Sequence, residues 1–201
     1  MSLEKTFIIA LDSYAAVVVL CILKSIIHEP RPFHIADITP SRCWLEYGNP
    51  SGHSLFSSSL YMTSWVMSMK EQNLTSGLKY NLTRLFAIGM CLLVSFSRIY
   101  HGVHTLNQLL NGWVWGVALS YFFTDIYYDE LVRFFFKIPT LSYYKLAWNK
   151  GTKIFYLSYI VGTFLWAVGR IINPIPDVWF ANIEKNCGNT LKTNDVVDPE
   201  S

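Results

Sequence analysis

Apolar residues along this chain gather into five runs, separated by stretches rich in charge, proline or glycine. The first extends from about Thr6 to Ile27, with Asp12 inside it and Lys24 near its end. The second covers about Gly52 to Met69 and carries many Ser and Thr; the third spans about Leu82 to Phe96. The fourth runs from His104 to about Ile126 and the fifth from about Ile154 to Ile172. A helix needs about 20 apolar residues to cross a bilayer. The pattern therefore predicts an all-α protein, a polytopic membrane bundle of about five transmembrane helices. The first run is too long for a secretory signal, and Lys24 stands where a small-residue cleavage site would be needed. Lys24 is expected to snorkel from the helix end to the interface.

The breaks have local causes. Glu29-Pro30-Arg31-Pro32 ends the first helix, because both prolines lack a donor and disfavour helix just before them. A polar loop with Arg42, Cys43 and Glu46 leads into Gly48-Asn49-Pro50-Ser51-Gly52-His53, a turn ahead of the next helix. A polar loop over Lys70 to Lys79 and a basic loop rich in Phe and Tyr, Tyr127 to Lys153, follow. After Pro174 and Pro176 the chain is polar and expected to fray. Residues 1–176 thus form the membrane domain and 177–201 a polar C-terminal tail. Gly112, Gly116 and Ser120, spaced by four, let a neighbouring helix come close, a matter of packing rather than chemistry.

Composition agrees with the pattern. With 52% hydrophobic and only 15% charged residues, the chain leans toward a membrane protein. Its net charge of +2 suggests no nucleic-acid partner. The four cysteines, Cys21, Cys43, Cys91 and Cys187, form no Cys-x-x-Cys pair, so neither a metal knuckle nor a disulfide-rich scaffold is indicated. If all five runs span, one side holds the 28–51 loop, the 97–104 turn and the C-terminal tail. The other holds Lys5, Lys70, Lys79, Arg133, Lys137, Lys145, Lys150 and Lys153, with Arg84 close by. The positive-inside tendency places that second set in the cytoplasm. Cys43 and Cys187 then share the oxidising side, where a disulfide between them is conceivable.

Ionisable groups at a membrane boundary are costly and usually functional. Ser97-Arg98-Ile99-Tyr100-His101-Gly102-Val103-His104, Lys24, Arg31 and Ser51-Gly52-His53 all fall at such boundaries, on one face. Together they suit phosphoryl transfer. Arg31 and Arg98 offer charged forks that match phosphate oxygens, and Lys24 a point charge. Ser51 and the Gly52 amide stand where a helix N-terminus favours an anion. His104 can attack phosphorus, and His53 can protonate the departing oxygen. No carboxylate cluster offers to hold a metal, and no cofactor is expected. Each piece alone has a plainer reading, as interfacial anchor, turn or helix cap. His28, His34 and His101 stay in that plainer class.

Lys24-x6-Arg31-Pro32, Pro50-Ser51-Gly52-His53 and Ser97-Arg98-x5-His104 resemble the three-part signature of the type 2 phosphatidic acid phosphatase (PAP2) and haloperoxidase superfamily. The resemblance covers about Leu20 to Leu119. It implies a helical core and a metal-independent phosphohydrolase that forms a phosphohistidine at His104, with His53 as proton donor. It also implies phosphate binding by Lys24, Arg31, Ser51, Gly52 and Arg98. Where the commonest pattern has Asp four residues after the nucleophile, this chain has Gln108, as in the dolichyl-diphosphate and glucose-6-phosphatase branches. Its amide oxygen can accept the Nδ1 proton of His104 but brings no charge. Members in membranes usually carry two helices before the one with the Lys; here none precedes it, pointing to a truncated product, a minimal form, or completion by an oligomer or partner subunit. The expected substrate is a lipid phosphate or diphosphate reached from the lipid bilayer, in the endoplasmic reticulum with the site facing the lumen, or else in the plasma membrane. A glucose-6-phosphatase-like sugar phosphatase and a catalytically silent lipid-binding protein are the alternatives.

Overall fold

The computed structural model describes residues 2–136, 150–172 and 174–188, and every regular element among them is helical. Helix α1 is Leu3–Ile26, and a single short turn of helix, α2, is Pro32–Ile35. Helix α3 is Gly52–Glu71, α4 is Leu78–Tyr100 and α5 is Leu106–Tyr121. A π-turn over Phe122–Ile126 leads to α6, Tyr128–Phe136. Helix α7 is Lys150–Ile172 and α8 is Asp177–Cys187. All five apolar runs are thus helices. Two of them, α1 and α4, are long and apolar enough by length and composition to cross a bilayer. The wider surface points the same way. Leu82, Leu85, Phe86, Leu93 and Phe96 on α4, Val114 on α5 and Phe164 on α7 are all exposed, an apolar surface suited to lipid rather than water.

Helix α3 is the centre. It packs against α5, α4 and α1, while α7 lies along α1 and α8 along α2. Its Ser-rich sequence explains this position, because small hydroxyl residues let helices approach and bond across. Ser59 donates to the Asp12 carboxylate at 2.7 Å, which satisfies the one acid inside the first apolar run. Ser54 and Ser95 meet at 3.1 Å, and Trp113 Nε1 donates to Ser95 at 2.8 Å. Three apolar clusters stack through the bundle: Ile8, Met67 and Phe123 at one end, Ala16, Leu23 and Leu55 in the middle, and Phe33, Val103, Ile183 and Cys187 at the other.

Two stretches differ from the sequence reading. Residues 128–136 of the expected loop are helical; residues 137–149 lie outside the described residues. The tail expected to fray is, over 177–187, helix α8. Its order comes from tertiary partners. Asn186 donates to the carbonyls of Phe33 and Ala36, Asn182 donates to that of His34, and a disulfide joins Cys187 to Cys43. Residues 189–201 lie outside the described residues. The two ends of the bundle otherwise sort as the loops predict. Lys5 pairs with Glu71 and Lys70 with Asp125 at one end, while the 28–51 loop, the 101–105 turn and α8 meet at the other.

Candidate active site

At that second end a cavity of about 520 Å³ opens between α1, α3 and α4. Lys24, Arg31, Gly52, His53, Arg98 and His104 all line it. Ser51, the N-cap of α3, lies fully buried beside Gly52, and Gln108 lies fully buried behind His104. The eight candidate residues from four segments are thus brought together.

Local structure explains each placement. Lys24 is in the last turn of α1, and contrary to the expected snorkelling it is buried, with Nζ 2.8 Å from Glu46 Oε1. Two prolines flank Arg31 and hold its backbone extended at the start of α2. Its guanidinium is spent on four groups: Glu46 Oε1 at 2.7 Å, the Glu46 carbonyl at 3.0 Å, the Val103 carbonyl at 3.2 Å and His104 Nε2 at 3.3 Å. Helix α4 ends at Tyr100, and Gly102, two residues on, has a φ of 67°, in the left-handed region that favours glycine after a helix. That turn returns the chain so that His104 faces Arg31. Arg98, in the last turn of α4, has Nη1 3.4 Å from His53 Nε2.

Helix α5 then begins with a capping box. Gln108 N donates to Thr105 Oγ1 at 3.3 Å, and Thr105 N donates to Gln108 Oε1 at 3.2 Å. The same Oε1 accepts from His104 Nδ1 at 3.1 Å. Gln108 Nε2 donates to the Pro30 carbonyl at 2.7 Å and to Glu29 Oε1 at 3.1 Å, which fixes which end of the amide faces the ring. Nδ1 of His104 therefore carries the proton. Nε2 keeps its lone pair, directed at the Arg31 guanidinium. Burial and the Arg31 charge push the His104 pKa down to about 3, against the hydrogen bond it donates to Gln108, so the ring is neutral at pH 7.

Residues 6–132 match the PAP2 superfamily, more than half of the chain. The chain belongs to that superfamily. Comparison with curated proteins and with solved structures returns no match. The PAP2 match takes in every candidate site residue and stops before α7 and α8. Members of the superfamily are phosphatases, and membership supports a phosphatase function for this PAP2 protein.

Two residues of the candidate site are not legible in the sequence as contributors: Glu46, bridging Lys24 and Arg31, and Glu29, behind Gln108. Glu46 lies only four residues before Pro50, yet its partners are 22 and 15 residues away, so no local spacing exposed it. The three histidines left in the plainer class stay there. His34 is fully buried, its Nδ1 accepting from Arg31 N and its Nε2 donating to the Trp44 carbonyl, both at 3.3 Å. His28 packs on Tyr47 and His101 on Tyr100.

Proposed function

We propose that this protein is an integral-membrane, metal-independent phosphohydrolase acting on a lipid phosphate or diphosphate through a phosphohistidine at His104. The observation that carries the reading is the His104 ring. It is neutral, protonated on Nδ1 by its bond to Gln108, and its Nε2 lone pair faces the Arg31 guanidinium, in the wall of a cavity that Lys24 and Arg98 also line. In the first step Nε2 attacks phosphorus and the P–O bond to the leaving group breaks. His53 gives its proton to the departing oxygen. In the second step water attacks the phosphohistidine, His53 takes a proton from that water, and orthophosphate and the free ring are released. Lys24, Arg31 and Arg98 neutralise charge on the non-bridging oxygens throughout, the task a metal performs elsewhere.

A phosphate also answers two features of the cavity. Ser51 Oγ is buried without a hydrogen-bond partner at the N-terminus of α3, a donor suited to an anion. Lys24 and Arg31 both bond to one oxygen of Glu46, a carboxylate in the position an anionic substrate would take. Val17, Leu20, Phe56 and Leu60 continue the cavity away from the charged end, a wall that suits a hydrocarbon tail. The positive-inside tendency puts this end on the luminal side, in the endoplasmic reticulum in this reading.

The test is phosphate release from a panel of lipid phosphates and diphosphates in detergent micelles, with and without EDTA. Release should persist in EDTA and vanish in His104→Ala, and brief exposure to labelled substrate should leave acid-labile phosphate on His104. Undiminished label in His104→Ala would overturn the nucleophile, and EDTA inhibition reversed by a divalent metal would overturn the metal-free mechanism.

A further inference from the structure

We propose that Glu29 is a positioning residue for this reaction, acting on His104 through the Gln108 side chain. The inference rests on the phosphohydrolase reading above. Three observations support it. Gln108 Nε2 has two acceptors, Glu29 Oε1 at 3.1 Å and the Pro30 carbonyl at 2.7 Å. Turning the amide over would set its oxygen against both and its nitrogen against Thr105 N–H, so Oε1 is held toward His104 Nδ1. The second oxygen of Glu29 accepts from Asn49 Nδ2, while Asn49 Oδ1 accepts from Asn111 Nδ2 at 2.6 Å. The side-chain partners of Glu29, Gln108 Nε2 and Asn49 Nδ2, are both N–H donors.

The chain of groups His104–Gln108–Glu29 therefore ends in a negative charge. As Nε2 bonds to phosphorus the imidazole gains positive charge, and the Nδ1–H strengthens as a donor. Gln108 carries no charge to answer it. Its amide is polarised by the carboxylate on its nitrogen, which makes its oxygen a better acceptor. Glu29 thus has two effects: it fixes the tautomer of the nucleophile and stabilises the phosphoimidazolium.

The experiment uses the full chain in detergent, as wild type, Glu29→Gln, Glu29→Ala, Gln108→Asp and the double variant Glu29→Gln/Gln108→Asp, all checked by melting. Phosphate release is read on whichever lipid phosphate the wild type hydrolyses, and the two ring nitrogens of His104 by ¹⁵N spectroscopy of histidine-labelled protein. Glu29→Gln can still accept from Gln108, so it should keep the Nδ1–H tautomer while kcat falls roughly tenfold and KM holds. Glu29→Ala should give mixed tautomers as well. In the Gln108→Asp background a carboxylate already faces His104 and Glu29 repels it, so there Glu29→Gln should raise kcat. A purely structural Glu29 would make the substitution harmful in both backgrounds, and that result overturns the proposal. So does a wild-type kcat in Glu29→Gln with an unchanged ¹⁵N spectrum in Glu29→Ala. A wild type that releases no phosphate from any substrate sinks the phosphohydrolase reading alone. In that case, the spectrum still judges Glu29: an Nδ1–H tautomer lost in Glu29→Ala supports it, and an unchanged one overturns it.

Discussion

If the proposed phosphohydrolase reaction runs through His104, a single methyl group placed on Gly48 should slow it without touching the cavity. A Cβ there would lie 2.7 Å from both Nε2 and Oε1 of Gln108 and 2.9 Å from its Cδ. Comfortable contact begins at about 3.5 Å, so the amide has to withdraw by roughly 0.8 Å. It has nowhere easy to go, since Nε2 sits between the Pro30 carbonyl and Glu29 while Oε1 is shared by His104 and Thr105. Gly48 cannot easily yield either, because its own N–H donates to the Glu29 carbonyl at 2.8 Å. Its φ lies outside the left-handed region, so alanine meets no backbone strain and the contact alone decides the outcome.

Overpacking of this kind costs about 1–3 kcal/mol. Part of that appears as lost stability and part as a displaced nucleophile; a misplacement near 1 Å costs about 100-fold in rate. Gly48→Ala should therefore lower kcat by roughly 10- to 100-fold while KM changes little, because Gly48 does not line the cavity. The assay is phosphate release in micelles beside a melting curve. Gly89→Ala is the control, for a Cβ on Gly89 meets nothing within 4 Å. A folded Gly48→Ala enzyme with kcat within about twofold of wild type would refute the claim that the Gln108 amide governs His104.

Gly116→Ala should act on stability instead. Its Cβ would fall 2.4 Å from the Leu55 carbonyl and 2.9 Å from Ser59 N, backbone that cannot step aside, so a loss of about 3 kcal/mol and a clear fall in Tm are expected. Glu46→Gln should also lower Tm, since it leaves buried Lys24 and Arg31 without their shared carboxylate. Added orthophosphate should restore it more than in wild type; equal phosphate response in the two proteins would separate Glu46 from the anion seat. Acid should weaken the fold through His34, whose pKa burial lowers to about 4. Because the unfolded chain takes up that proton first, the stabilisation is full above the unfolded value of about 6.5 and is lost as pH falls toward 4, on the order of 3 kcal/mol. A Tm that stays flat over that window would contradict a neutral, buried His34.

The residues that the sequence exposed share one property: their meaning is carried by neighbours a few positions away. Arg31 sits between two prolines, Ser51 and Gly52 open a helix, and Gln108 is four residues past His104, where the Thr105–Gln108 capping box at the start of α5 brings its amide to the ring. The ends of α4 are less legible: the apolar run covers 82–96 while the helix is Leu78–Tyr100, because Lys79, Asn81, Ser97 and Arg98 are polar yet belong to the helix. Helix α8 was hidden for a different reason. Its polar side chains bond to α2, about 150 residues earlier, and a disulfide ties its end to Cys43, so nothing within the segment itself announces order. Lys24 looks like an interfacial anchor in the sequence for the same reason: Glu46, its partner, comes from the following loop.

The small-residue stripe on α5 shows where packing and chemistry cease to be separable. Read from sequence, Gly112 and Gly116 only allow a neighbour to approach. That neighbour is the first two turns of α3, and a Cβ on Gly112 would lie 2.8 Å from the Ser51 carbonyl and 3.0 Å from Leu55 N. Ser51 N in turn donates to the Gln108 carbonyl at 2.9 Å. One turn of α5 therefore holds both the close contact and the residue that orients His104, and one turn of α3 holds both the opposing contact and the anion seat. In the proposed mechanism the distance between His104 and the phosphate is set by how closely two backbones can pass. A larger side chain at Gly112 would change that distance directly, whereas one at Gly116, a turn further from the site, acts on it only by tilting the helices apart.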